Sequence, residues 1–153
     1  MTHKIIELHN NTLKVFEDGK VLVKRFNREE FYEKKSINYK GYLRLQLNNK
    51  KKQKNYFIHR LVAFAFLNLD LENPVQVIDH QDRDKLNNNL SNLRIVTQQQ
   101  NQFNRNAKGY SRHRGKWQSQ IKLDGKKIHL GLFETEEDAS KAYQDAKLVY
   151  HII

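Results

Sequence analysis

Apolar positions in the first half of the chain fall into short alternating runs broken by turn residues. Leu13 and Val15, then Val21 and Val23, flank Asp18-Gly19, and alternation around Asp-Gly predicts a β-hairpin. Residues 41–47 alternate again, and Tyr56-Phe57-Ile58 resumes after a turn carrying Lys50, Lys51, Lys52 and Lys54. That basic turn reads equally well as a solvated loop or as a holder of a phosphate. Residues 61–67, Leu-Val-Ala-Phe-Ala-Phe-Leu, are apolar on every side and predict a short buried helix. Residues 75–78 then predict a strand that delivers Asp79 and His80 to its end. Residues 81–91 are a polar loop, and Leu93-Arg94-Ile95-Val96 is the returning strand. Thr97, with Gln100 three residues on, forms a capping box for a helix over about 98–106.

Gly109 breaks the pattern. Residues 110–114, 117–123 and 127–133 read as three strands, the last two joined by Asp124-Gly125. Thr135 caps a final helix, whose first turn carries Glu136, Glu137 and Asp138 at its positive end. Ala139, Ala142, Tyr143, Ala146 and Tyr150 recur at helical spacing, so one face packs on the sheet. Residues 108–129 hold seven Lys or Arg and one acidic residue, whereas five acidic residues face two lysines after residue 130. The module is basic in front and acidic behind.

Charge narrows the partners. Lys and Arg total 28 against 17 Asp and Glu, a net +11, which favours a polyanion, nucleic acid or an anionic membrane surface. With 153 residues the chain builds one ordinary domain or two small ones. No cysteine is present, so disulfides and thiolate zinc sites are excluded. No apolar run approaches the roughly 18 residues of a membrane span, and the start, MTHKIIELHNN, is too polar for a signal peptide. A soluble, cytoplasmic monomer is expected.

The chemistry concentrates between residues 77 and 101. Asp79 and His80 are adjacent, Asn92 lies twelve residues on, and Asn101 nine further. Cutting a phosphodiester needs an attacking water made nucleophilic and charge neutralised at the phosphate. A histidine can take the proton, and a divalent ion can do the second task. Asp79 offers a hard oxygen suited to Mg²⁺. Asn101, one turn into its helix, can face the strand end holding Asp79. Asn92, just before the second strand, can tie the long loop to backbone groups and so hold His80.

Residues 56–104, with His59-Arg60-Leu61-Val62-Ala63 and the pattern Asp79-His80, Asn87-Asn88, Asn92-Leu93-Arg94, Thr97 and Asn101, resemble HNH endonucleases of the phage and homing type. The resemblance implies a ββα-metal unit with His80 as general base, Asp79 and Asn101 as ligands of one divalent ion (Mg²⁺, with Mn²⁺ an alternative), and Asn92 as the central loop-fixing asparagine. The last histidine of the usual motif is Asn101 here, as in the phage homing subgroup, which fits a phage- or virus-encoded protein. Arg60 reads either as a phosphate contact or as a helix-start residue with an exposed head; His59 has no derivable role.

Residues 108–153, with Gly109-Tyr110, Gly115-Lys116-Trp117, Leu130-Gly131-Leu132-Phe133 and Thr135-Glu136-Glu137-Asp138-Ala139, resemble an APETALA2-type DNA-binding domain. That family places a three-stranded sheet in the major groove. Arg112, Arg114, Lys116, Gln120, Lys122, Lys127 and His129 are then the DNA-facing candidates, with Arg able to read guanine and Gln adenine. Trp117 is expected as a core anchor. Ser111 and His113 depart from that family's arginine-rich strand, and His129 replaces an aromatic.

The expected fold class is α+β: N-terminal short strands (1–50), an HNH unit (51–107), then a three-stranded antiparallel sheet on one helix (108–153). The expected function is metal-dependent cleavage of double-stranded DNA. A non-catalytic, sequence-specific DNA-binding regulator is the alternative, and an RNA-binding protein ranks last because the sheet lacks a row of exposed aromatics.

Overall fold

The computed structural model describes residues 2–49, 52–104 and 107–150. The chain divides into two compact units, Met1–Thr97 and Gln98–Ile153. Both are mixed α and β, built on small antiparallel sheets.

The first unit opens with a four-stranded meander of β1 (His3–Leu8), β2 (Asn11–Phe16), β3 (Val21–Arg25) and β4 (Tyr32–Glu33), paired in that order. Alternation puts Leu13, Val15, Val21 and Val23 on its buried face. A second sheet holds β5 (Ile37–Tyr39), β6 (Tyr42–Asn49) and β7 (Lys52–Phe57), burying Leu45, Leu47 and Tyr56. Helix α1 (Ile58–Phe66) follows β7 directly and packs on β1 and β2 of the first sheet and β6 and β7 of the second. Its Leu61, Val62 and Ala63 are fully buried. The helix starts at Ile58 rather than 61 because Ile58 and His59 are buried with it. The pair β8 (Val77–His80) and β9 (Leu93–Val96) completes the unit, its loop ending in a 3-10 turn, Leu90–Asn92.

One apolar cluster runs from Leu13 through Leu61 to Leu93. The border expected between residues 50 and 51 is therefore not a packing border. A sheet with one apolar face must bury it, and α1, whose Leu61, Val62, Ala63 and Ala65 are buried, covers the N-terminal strands. The unit boundary also lies earlier than the expected 107–108, after Thr97. Lys50 and Lys51 of the basic turn, and Arg105 and Asn106 near the expected junction, lie outside the described residues. Of the remaining lysines in that turn, Lys54 pairs with Glu72 at 3.0 Å.

The second unit holds α2 (Gln98–Phe103), the sheet β10 (Tyr110–His113), β11 (Lys116–Leu123) and β12 (Lys126–Phe133), and α3 (Glu136–Tyr150). Arg114-Gly115 and Asp124-Gly125 link the strands with positive φ at both residues (49° and 84°, 47° and 77°), the mirror-image turn that suits strand twist. Thr135 Oγ1 accepts the Asp138 amide at 3.1 Å and caps α3. Tyr143 and Ala146 of α3 join Ile121 in a small core backed by Ile128 and Leu130. A β-carbon at Gly109 would lie 2.0 Å from the Tyr143 ring, so only glycine lets the chain pass there. Trp117, the expected core anchor, is half-buried, edge-on to Tyr110, and stands outside this core, whose sheet residue is the buried Ile121.

Candidate active site

Asp79 and His80 are the last two residues of β8 and only 4% and 5% exposed. The strand runs past the expected end at Ile78 because the buried carboxylate finds its partner across the ladder. Arg94 is in register with Asp79 on β9. Its Nε and NH2 both donate to Asp79 Oδ2, at 2.9 and 2.7 Å. A carboxylate this buried demands such compensation.

His80 lies in an aromatic box. Its ring is 5.1 Å from His59, edge to face, and 6.0 Å from Tyr42. His59 stacks on Phe57 at 5.5 Å. These rings come from β6, β7 and the first turn of α1, so three elements fix the histidine on β8. Burial, then the neighbouring His80 and Arg60, lowers the His59 pKa from 6.5 to about 3. His59 is a neutral ring whose buried Nδ1 has no hydrogen-bond partner among the described residues.

The loop between β8 and β9 is tied by side chains. Asn92 Nδ2 donates to Asp82 Oδ1 (2.9 Å) and to the Asn87 carbonyl (2.8 Å), and Asn92 Oδ1 accepts the Asp82 amide (3.0 Å). Asp82 also accepts from Asn87 Nδ2 (2.7 Å) and from the Asp84 amide (2.8 Å). The Asn87 amide first, with the Asp84 and Asn92 bonds behind it, holds the Asp82 carboxyl below its usual range. Asn88 Oδ1 lies 3.4 Å from His80 Nε2.

The first unit thus brings Asp79, His80 and Asn92 together. Asn101 lies half-buried on α2, in the second unit. Among the described residues, no group of three or more His, Cys, Asp and Glu side chains is placed to hold a metal. An oxygen donor set of one carboxylate and one amide suits Mg²⁺, which commonly takes one or two carboxylates together with substrate phosphates.

The expected nucleic-acid contacts fare unevenly. The Arg60 guanidinium donates to the carbonyls of Gln76 (3.2 Å), Leu71 (3.3 Å) and Asp70 (3.4 Å), so it braces the loop before β8 instead of offering its head to a phosphate. Register puts Lys116, Gln120, Lys122, Lys127 and His129 on one face of the second unit's sheet. Gln120, Lys122 and Lys127 line a recess of about 530 Å³ with Gln98, Gln99 and Gln102 of α2, so this part of the face is not open. Lys116 pairs with Glu134. Arg112 points to the opposite face, over Trp117, at 5.7 Å from the ring centre. Arg114 is exposed in its turn.

A family model described as HNH endonuclease matches residues 56–103. Residues 56–103 are an HNH endonuclease domain. An HNH endonuclease of Acanthamoeba polyphaga mimivirus is 37% identical over 95 residues, covering 61% of this chain and 27% of that protein. A second HNH endonuclease of the same virus is 33% identical over 98 residues, covering 61% of this chain and 50% of that one. The chain thus spans half or less of these relatives. The solved structure of the HNH homing endonuclease I-HmuI, a study of DNA binding and cleavage, is 34% identical with a TM-score of 0.52. That likeness covers 68% of this chain and 57% of I-HmuI. Asp79, His80, Asn92 and Asn101 all lie within the matched residues.

Four residues that matter to the geometry were not singled out as site residues by sequence. Arg94 could have been found by pairing the two predicted strands around Asp79. Asn88 and His59 belong to the motif but their roles do not show in it, and Asp82 carries no local signal, because loop closure and ring packing create these roles.

Proposed function

We propose that this protein is a metal-dependent, homing-type HNH endonuclease that hydrolyses phosphodiester bonds in double-stranded DNA. The observation that carries this reading is the placement of His80 beside Asp79 at a buried strand end, inside the residues that match the HNH family. His80 takes the proton of the attacking water. Asp79 and Asn101 would hold one divalent ion, Mg²⁺ or Mn²⁺, a pairing that rests on their spacing in the motif. When bound, the ion stabilises charge on the phosphate and leaving oxygen as a Lewis acid. Asn92 keeps the loop in shape, and Arg94 keeps one oxygen of Asp79 turned to β9. The second unit recognises DNA: its basic sheet, with Arg114 in the exposed turn, gives phosphate and base-edge contacts. Its APETALA2-type character rests on the motifs of residues 108–153. No helix among the described residues is long and apolar enough to cross a membrane, and the protein acts on DNA inside a cell, as a monomer, from a phage or viral genome.

The test is cleavage of supercoiled plasmid with EDTA, then with Mg²⁺ or Mn²⁺ restored, for wild type and His80→Ala. EDTA should stop cutting and either ion restore it. A general base contributes roughly 10² to 10⁴ in rate, so the variant should bind duplex normally and cut at least about a hundredfold more slowly. Cutting that persists undiminished in EDTA would falsify the metal-dependent reading.

A further inference from the structure

Asn88 is 4% exposed although it stands in a polar loop. Both ends of its amide are engaged. Nδ2 donates to the Leu86 carbonyl at 2.9 Å, and only the nitrogen end can do this. Oδ1 is thereby turned to His80 Nε2, at 3.4 Å. An oxygen in that place accepts a proton from Nε2; an unprotonated Nε2 would set lone pair against lone pair. In the neutral imidazole the proton then resides on Nε2, and Nδ1 carries the lone pair.

The loop bearing Asn88 leans on the N-terminal hairpin. The Leu90 amide donates to the Glu17 carbonyl at 2.7 Å. Gly19 (φ +88°) lies so close that a β-carbon there would sit 2.8 Å from Asn88 Cβ and 3.1 Å from its carbonyl oxygen. The turn between β2 and β3 is thus shaped to hold Asn88.

We propose that Asn88 is a positioning residue that sets the tautomer and ring orientation of His80, and that the hairpin turn at Gly19 holds Asn88 in place. The proposal rests on His80 as the general base and makes Nδ1 the atom that takes the proton from water. It also gives the N-terminal strands a task at the site, some seventy residues away along the chain from the loop they support.

The decisive measurement is on full-length ¹⁵N-labelled protein, free of DNA and metal, at alkaline pH. Correlations from ring nitrogens to carbon-bound ring protons identify the protonated nitrogen, and His80→Gln assigns the signals. The expected result is a proton on Nε2 with slowed solvent exchange. Asn88→Leu should lose that slow exchange and lower kcat about tenfold or more with an unchanged Kd for duplex. Asn88→Asp, whose carboxylate can still accept from Nε2 but loses the bond to the Leu86 carbonyl, should recover part of the slow exchange and part of kcat. A wild-type proton on Nδ1 overturns the proposal, whatever the cleavage assay shows and whether or not the variants fold. So does a folded Asn88→Leu protein with wild-type kcat. A protein with the proton on Nε2 that cuts no DNA sinks the nuclease reading and leaves the tautomer assignment standing.

Discussion

Arg94 grips Asp79 across the β8–β9 ladder with two nitrogens on one oxygen, at 2.9 and 2.7 Å. The carboxylate side chain is 5% exposed and the arginine 28%, so the pair is screened little by water. The same carboxylate is the proposed oxygen donor to the cation, which places two positive charges on one acid.

Arg94→Met removes one of those charges and leaves the carboxylate uncompensated. Loss of a buried partner should cost about 2 to 3 kcal/mol in the absence of metal. A bound divalent ion would then replace the missing charge, so Mg²⁺ should raise the Tm of the variant more than that of wild type. Thermal unfolding of both proteins with and without Mg²⁺ checks this. Equal shifts would mean that Asp79 is not where the cation binds.

His59 should make stability depend on pH. Its pKa is about 3 in the folded protein against 6.5 for an ordinary histidine, chiefly because the ring is buried, with His80 and Arg60 adding to the effect. The unfolded chain takes up a proton below pH 6.5 that the folded chain refuses until about pH 3. The contribution is fully present above pH 6.5 and is lost as pH falls between these values, by at most about 1.4 kcal/mol per unit. Urea unfolding at about pH 7 and about pH 5 should differ by about 2 kcal/mol more in wild type than in His59→Gln. A pH slope that survives the substitution assigns the effect to other groups.

Asn92→Ala should loosen the loop. The asparagine is 8% exposed and makes three side-chain hydrogen bonds, to Asp82 twice and to Asn87. Their loss, with the Asn87 carbonyl left without its donor, should cost about 1 to 3 kcal/mol. Hydrogen exchange of the Asp82 amide, which donates to Asn92 Oδ1, should accelerate in the variant while amides of β2 and β3 stay protected. An unchanged Asp82 amide would place the loop's restraint elsewhere.

A fragment of residues 1–107 should keep the HNH domain but lose affinity and site preference. It retains the first unit and α2, and it lacks the basic sheet. Phosphate contacts position a protein on duplex, whereas base-edge contacts specify the sequence. Cleavage-site profiles of fragment and full chain on a randomised duplex library, at fixed salt, read the difference. Identical profiles and affinities would assign the second unit to another partner.

The local elements of this protein were legible in its sequence. Alternation around Asp18-Gly19 and Asp124-Gly125 marks the hairpins, Leu93 to Val96 marks β9 without error, and Thr135 marks the start of α3. Asp79, His80, Asn92 and Asn101, singled out by their spacing, lie within the residues that match the HNH family. These signals are short-range, set by turn geometry, side-chain period and capping. Tertiary structure alone decided the rest. The N-terminal strands share a core with residues 56–97 because α1 buries Leu61, Val62 and Ala63 against both sheets. Arg60 turns to three carbonyls, a choice made by loop closure after α1 and invisible in its sequence position. Arg94, Asp82, Asn88 and His59 matter through partners between 5 and 21 residues away. A buried charge or amide takes whichever group the fold brings to it, and no local pattern states that choice.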